Sequence, residues 1–187
     1  LLNTPDWFNS DLRARVLMYA GGKTFELTEN TAADVGRRLS KMSWLSGMQV
    51  SVTDDSVKLE ANWREPIARL EIEGEKMYID GKLVEMEYIP IASLHTPEIT
   101  GFSPPPMMRN LILQEDIAAA ADIILLLRQM DATAINEGSI DKPLIEEIAE
   151  IDVSNFNGRE NSGRQDKPHI VLIANDGTKI NWGSALD

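Results

Sequence analysis

The spacing of apolar residues switches between helical and alternating along the chain, and each switch predicts an element boundary. Phe8, Leu12 and Val16 recur every four residues, with Trp7 and Tyr19 alongside, which predicts a first helix. Thr4 can cap it, Pro5 suits its first position, Asp6 favours its positive end, and Gly21–Gly22 stop it. A second helix is predicted from Thr31 through "TAADVGRRLSKMSWL". Thr31 and Asp34 resemble a capping box, and Val35, Leu39 and Met42 form the buried stripe. Arg37, Arg38 and Lys41 fall on or beside its outer face.

The period then becomes two. Met48, Val50 and Val52 share one face, Asp54–Asp55 turns the chain, and Val57, Leu59, Ala61 and Trp63 point inward against Lys58, Glu60 and Asn62. Past Pro66 the apolar set is Ala68, Leu70 and Ile72, so the phase slips from odd to even numbers. A one-residue slip turns every side chain to the opposite face. One long strand is therefore expected to bend or bulge near Glu65–Pro66 and to run as a strut between two packing environments. Pro66 lacks a ladder donor and belongs at a sheet edge or boundary.

"KMYID" and "KLVEM" flank Asp80–Gly81, a hairpin signal. "HTPEITGFSPPPM" reads as a Pro-rich surface loop. A long helix is predicted over Gln114–Met130, where Ile117, Ala121, Ile124 and Leu127 cluster in a stripe wide enough for burial on more than one side. A short helix is expected over Lys142–Glu147, with Asp141 as cap and Pro143 in its first turn. "EIDVSNF" reads as a strand and "NGRENSGRQDKP" as a mobile polar loop. The last element is a hairpin about Asp176–Gly177, whose first strand has Ile170, Leu172 and Ala174 alternating with Val171 and Ile173. Both faces of that strand are apolar, which predicts a central place under the long helix. No internal repeat is visible.

Length and composition fit one large or two small globular domains, with 187 residues, 43% hydrophobic and 26% charged. A net charge of -12 argues against nucleic acid, which needs clustered cations. The acids crowd between Glu115 and Asp152, where only Arg128 and Lys142 are basic. That crowding fits a solvated helix face or an acidic docking surface. The absence of Cys excludes thiol catalysis, disulfides and Cys-based zinc sites. The longest apolar run, Ile117–Leu127, is broken by Asp122 and falls short of the ~20 residues that span a bilayer. No signal peptide opens the chain, which begins abruptly at Leu1 without Met, as expected of an excised fragment with a membrane anchor or a signal upstream.

Candidate chemistry is sparse. His95 lies in a loop and His169 at a strand mouth, neither at metal-ligand spacing from a partner. Asp54/Asp55, Glu115/Asp116 and the set Glu146, Glu147 and Glu150 read as turn, capping or solvated acids. Glu146 and Glu150 lie on one helical face, which does not suit a pair that must flank a sugar. The Ser139–Lys142 match to SxxK lacks companion motifs, and "DVSNFNGRE" lacks the order of a calcium loop. No catalytic, cofactor-binding or metal-binding residue is assigned. Trp7, Trp44, Trp63 and Trp182 sit at element edges; packing explains the first three. Trp182 is on a final strand whose free backbone edge offers a place for another chain to add a strand.

The order of these segments resembles the extracytoplasmic part of the FtsQ/DivIB family of bacterial cell-division proteins. Ser43-Trp44-Leu45 resembles the family's Pro-Trp-Val-like turn, and Arg64-Glu65-Pro66-Ile67-Ala68 its Glu-Arg-x-Pro-Val-Ala strand. Met77-Tyr78-Ile79-Asp80-Gly81, "ITGF" at Ile99–Phe102 and "DGTKINWG" match further segments in the family's order. Ser43 stands where Pro is usual, and Trp63 where Glu is frequent. The strand that normally opens the first domain, and the last helix and strands that follow the "WG" position, have no counterpart here.

The resemblance implies an α+β architecture: a POTRA-like α/β domain over 1–66, then a mixed β-sheet domain backed by a long helix over 67–187. It implies a non-catalytic divisome scaffold without a cofactor on the periplasmic face. The full-length protein would be single-pass anchored and would bind other divisome membrane proteins through sheet edges. Candidate contacts are Arg37, Arg38 and Lys41, the strand edge from Gln49 through Val50 and Ser51 to Thr53, and the last strand at Thr178, Lys179, Ile180, Asn181 and Trp182. A transport or outer-membrane assembly protein would share only the POTRA-like domain. An unrecognised hydrolase would gather His95 or His169 with an acid in a closed pocket.

Overall fold

The computed structural model describes residues 3–26, 28, 30–103, 112, 114–160 and 168–183. The chain divides into Leu1–Glu65 with Glu87–Leu94, and Pro66–Met86 with His95–Asp187. The architecture is mixed α+β, with three α-helices, a two-stranded sheet and a seven-stranded sheet among the described residues.

In the first unit, helix α1 spans Ser10–Ala20. Its cap is Asn9, whose carboxamide oxygen accepts from Leu12 N at 2.9 Å, so the helix starts later than Thr4–Pro5 suggested. Pro5 instead sits in a turn closed by Phe8 N to Pro5 O. Gly21 N–H returns to the Leu17 and Met18 carbonyls and ends the helix. Helix α2 spans Thr31–Leu39, and the capping box is not made. Thr31 is inside the helix, where its hydroxyl accepts from Thr28 N and donates to Glu26 O, both at 2.8 Å. Leu12, Val16 and Ala20 of α1 and Val35 and Leu39 of α2 are buried, together with Met42 beyond the helix.

Strands β1 (Leu45–Val52) and β2 (Val57–Trp63) form an antiparallel hairpin. Trp44 is wholly buried, and its Nε1 donates to Glu87 O at 3.0 Å. Ser43 Oγ accepts from Glu87 N at 2.9 Å, and Arg15 pairs with the Glu87 carboxylate at 2.6 Å. The segment Glu87–Leu94 is thereby stitched to this unit. Trp7 lies 5.9 Å from Trp44 and 6.5 Å from Trp63, and Phe8 lies 4.8 Å from Trp63, all tilted or edge-on. These pairs fix the residues before α1 onto the hairpin.

In the second unit, strand β3 (Pro66–Ile72) begins at Pro66, where no ladder donor is needed. β2 and β3 are separate strands of separate sheets, broken at Arg64–Glu65, and not the one bent strand expected from the phase slip. A register shift between Pro66 and Ala68 absorbs the remaining irregularity. β3 turns into β4 (Glu75–Asp80) through Glu73 (φ 53) and Gly74 (φ 84), a type I′ pattern that suits a tight hairpin. The next turn is not the tight Asp-Gly form. Buried Asp80 accepts from Lys82 N at 2.8 Å and Val84 N at 2.9 Å, and the positive φ falls on Leu83, before β5 (Glu85–Glu87).

The stretch expected as a surface loop holds a strand, β6 (Glu98–Thr100), with Ile99 buried and its neighbours half-buried. It runs parallel to β3 on one side and to β7 (Ile148–Asp152) on the other. With the hairpin β8 (Ile170–Ala174) and β9 (Lys179–Gly183), the order is β5-β4-β3-β6-β7-β8-β9. Helix α3 runs over Glu115–Asn136, past the expected end at Met130. Ile117, Ala121, Ile124 and Leu127 pack into the core with Ala68, Leu70, Ile99, Ile151, Ile170 and Leu172. α3 is buried along one face only: Leu125, Leu126 and Met130 are 38%, 45% and 53% exposed. β8 is second from the sheet edge rather than central, and Val171 and Ile173 stay half-exposed. The short helix before β7 is a 3₁₀ turn, Leu144–Glu147, whose first N–H groups are held at 2.8 Å by the buried Asp131 carboxylate. The prolines at 104–106 and the centre of the polar loop at 161–167 lie outside the described residues.

β6 leaves the sheet through Gly101 at φ +69, where a Cβ would fall 2.6 Å from Ser154 N. Both the left-handed backbone and the contact exclude a side chain. Gly101→Ala is expected to destabilise the second unit by roughly 3 kcal/mol or more in urea unfolding followed by far-UV circular dichroism. A loss under about 1 kcal/mol would contradict this packing.

Candidate interaction surface

β9 is the last strand of the larger sheet, and among the described residues only β8 pairs with it. The hairpin turn fixes its register. Gly177 N donates to Ala174 O and Ala174 N to Thr178 O, both at 2.9 Å, and Asp176 Oδ1 accepts from Thr178 N at 2.8 Å. Antiparallel pairs alternate between bonded and non-bonded types. With Ala174 and Thr178 bonded, Leu172 opposite Ile180 is bonded too, and Ile173 opposite Lys179 and Val171 opposite Asn181 are not. The N–H and C=O groups of Lys179 and Asn181 therefore point away from β8.

Side chains alternate along the same strand. Ile180 lies on the α3 side of the sheet, opposite buried Leu172, yet is 40% exposed. Trp182 packs against the core from that side and is half-buried. Lys179 and Asn181 project from the other face, where pairing places Lys179 in a row with Ile173, Glu150, Glu98 and Arg69. Arg69 pairs with Glu98 at 3.0 Å, and Thr100 donates to Glu150 at 2.6 Å. Lys179 is the one charged residue within β9, so the edge has little of the charge guard that discourages pairing.

The first unit carries the other predicted contacts. Arg37 is exposed and pairs with Asp34 at 3.0 Å, a surface contact of small energy. Arg38 is exposed, and its guanidinium donates to Ala20 O at 3.3 Å and lies where a Gly21 side chain would be, at the end of α1. Lys41 is exposed. Gln49 and Ser51 are exposed on β1, whereas Val50 turns toward α2, its Cγ2 at 3.6 Å from the position of a Gly36 Cβ. Arg37, Arg38 and Lys41 are thus exposed at and just beyond α2, Gln49 and Ser51 on β1, and Thr178–Trp182 lie together at the edge of the larger sheet.

Among the described residues the histidines do not converge on acids: His95 Nε2 lies 2.7 Å from Ile148 O, and His169 Nδ1 is buried without a hydrogen-bond partner there. A cavity of about 270 Å³ is lined by Ser103, Gln114, Glu115, Asp116, Phe156, Asn157 and Arg159, with neither imidazole among them. Asp116 in its wall is buried and tied to Arg159 at 2.9 Å and to Ser103 N at 2.7 Å. Arg159 also donates to Gly101 O at 3.2 Å and to Val153 O. Sequence spacing gave no sign of this clasp, because its members are brought together only by the strand ends.

Thr178, through its N–H and then its side chain, holds the Asp176 carboxyl below the usual carboxylate range. A depressed pKa means a contribution present above the ordinary Asp pKa and lost as pH falls through the lowered value. The Thr178 amide proton shift is expected to titrate with a midpoint below that of a free Asp, and Asp176→Asn to abolish the step. A midpoint at the ordinary value would mean that the turn bond does not form in solution. No protein-family model matches the chain, and no curated protein matches it.

Proposed function

We propose that this chain is a non-catalytic scaffold of bacterial cell division, similar to the extracytoplasmic part of FtsQ/DivIB proteins, that takes up a strand from a divisome partner on β9. The open edge of β9 carries the reading: Lys179 and Asn181 offer outward backbone groups, and Ile180 and Trp182 offer apolar contacts beside them. The two helices and hairpin of the first unit, followed by a mixed sheet under a long helix, support the POTRA-like and β-domain assignment. In this reading the protein works on the periplasmic side, held by an upstream membrane helix, and needs no cofactor.

Proline separates edge recognition from folding. At Asn181 the N–H faces away from β8, so Asn181→Pro removes a donor that only an added strand would use. The variant is expected to keep its melting temperature within a few degrees, because the β8 ladder is untouched. A photo-crosslinking residue at Lys179 of the full-length protein in dividing cells is expected to capture a membrane division protein, and Asn181→Pro to lose that adduct. Capture of transport or outer-membrane assembly components instead, or an adduct indifferent to Asn181→Pro, would refute the proposal.

A further inference from the structure

The outward side of α3 has a composition that the fold does not use. Leu125, Leu126 and Met130 are 38%, 45% and 53% exposed, although Ile123, Ile124 and Leu127 beside them are buried. Leu125 rests over the β4–β5 turn, where a Cβ on Gly81 would meet its Cδ2 at 3.4 Å. Glu115, Asp122 and Leu126 follow helical spacing along this side, and both acids are exposed.

The charges of α3 are partitioned by sign. Its acids are Glu115, Asp116, Asp122 and Asp131, and its one base is Arg128. Asp116 and Asp131 are buried and hydrogen-bonded. Arg128 reaches the Pro66 carbonyl at 3.3 Å and the His95 carbonyl at 3.5 Å, so its charge is committed to the fold. The charge that α3 shows outward is negative only, among apolar side chains and the neutral Gln129, Thr133 and Asn136, in a chain of net charge -12.

We propose that the outer face of α3 docks a cationic amphipathic helix of a partner protein, with its apolar side chains on Leu125, Leu126 and Met130 and a Lys or Arg beside Asp122. Charge complementarity selects this occupant. A lipid-binding helix face carries Lys and Arg around its apolar stripe, and this one carries acids, which an anionic bilayer repels. A second copy would bring like-charged faces together. Three half-exposed side chains form a small patch, so the contact is a transient one, with a dissociation constant of roughly tens to hundreds of micromolar.

The test is an amide-shift titration of the full isotope-labelled chain. The probe is a synthetic helix of about 18 residues with a Leu face flanked by Lys, and its counterpart has Glu for Lys. The Lys peptide is expected to move amides of α3 around Asp122 to Met130, and the doubly substituted Leu126→Ser, Met130→Ser chain to bind it ~10-fold more weakly. Asp122→Lys, an exposed change that leaves the core intact, is expected to shift preference toward the Glu peptide. Shifts scattered over the acidic surface and insensitive to these substitutions would overturn the proposal. So would tighter binding of the same face to phosphatidylglycerol vesicles, or self-association that the double substitution removes.

Discussion

Three residues hold the larger sheet together. β3–β4, β7–β8 and β8–β9 pair antiparallel, and among the described residues β6, Glu98–Thr100, is the one strand between β5-β4-β3 and β7-β8-β9. Its two borders are short parallel ladders, with Glu98 opposite Arg69 on one side and Glu98, Ile99 and Thr100 opposite Glu150, Ile151 and Asp152 on the other. Arg69 N to Pro97 O at 2.9 Å and Val153 N to Thr100 O at 3.0 Å extend them. Parallel pairing is somewhat weaker per residue than antiparallel, so a strand this short needs help from its side chains. Ile99 is buried under α3, Glu98 reaches Arg69, and Thr100 reaches Glu150. Gly101 then lets the chain leave at a contact no side chain would permit, and Arg159 ties that exit to Asp116 at the start of α3.

The joined sheet has unequal faces and unequal ends. α3 covers one face with isoleucine, leucine and alanine, while the other carries Arg69, Glu98, Glu150 and Asp152 among half-exposed Val171 and Ile173. At one end β9 closes the order with no further strand among the described residues. A strand needs two neighbours to satisfy its backbone, and β9 has one among the described residues. That asymmetry links the packing to the proposed role: the hydrophobic effect fixes the sheet from inside, and the β9 edge is where the proposed partner strand would add.

Much of this was legible in the residues. The stripes Leu12/Val16 and Val35/Leu39/Met42, the alternation of Val57 to Trp63, and the Asp176–Gly177 hairpin all read at their own period. The phase slip at Pro66 marked a true boundary, though alternation could not tell a bend from a change of sheet. β6 escaped because three residues cannot display a period and its neighbours are rich in Pro and Thr. The tight turn at Glu73–Gly74 escaped because Glu is an unusual residue for a positive φ, while Asp80–Gly81 misled because the Asp80 side chain, not a left-handed glycine, organises that turn. Among the surface candidates, the contact of Arg38 with Ala20 O is visible only once α1 and α2 are packed.

Native-state hydrogen exchange resolved by residue tests the central claim, that a short internal strand unites the sheet and leaves β9 open. The amides of Arg69 and Val153, which donate to the β6 segment, are predicted to exchange only through denaturant-dependent global opening of their unit. The amides of Lys179 and Asn181 are predicted to exchange nearly as fast as in an unstructured chain. Rapid, denaturant-independent exchange at Arg69 or Val153, or strong protection at Lys179 and Asn181, would contradict the account.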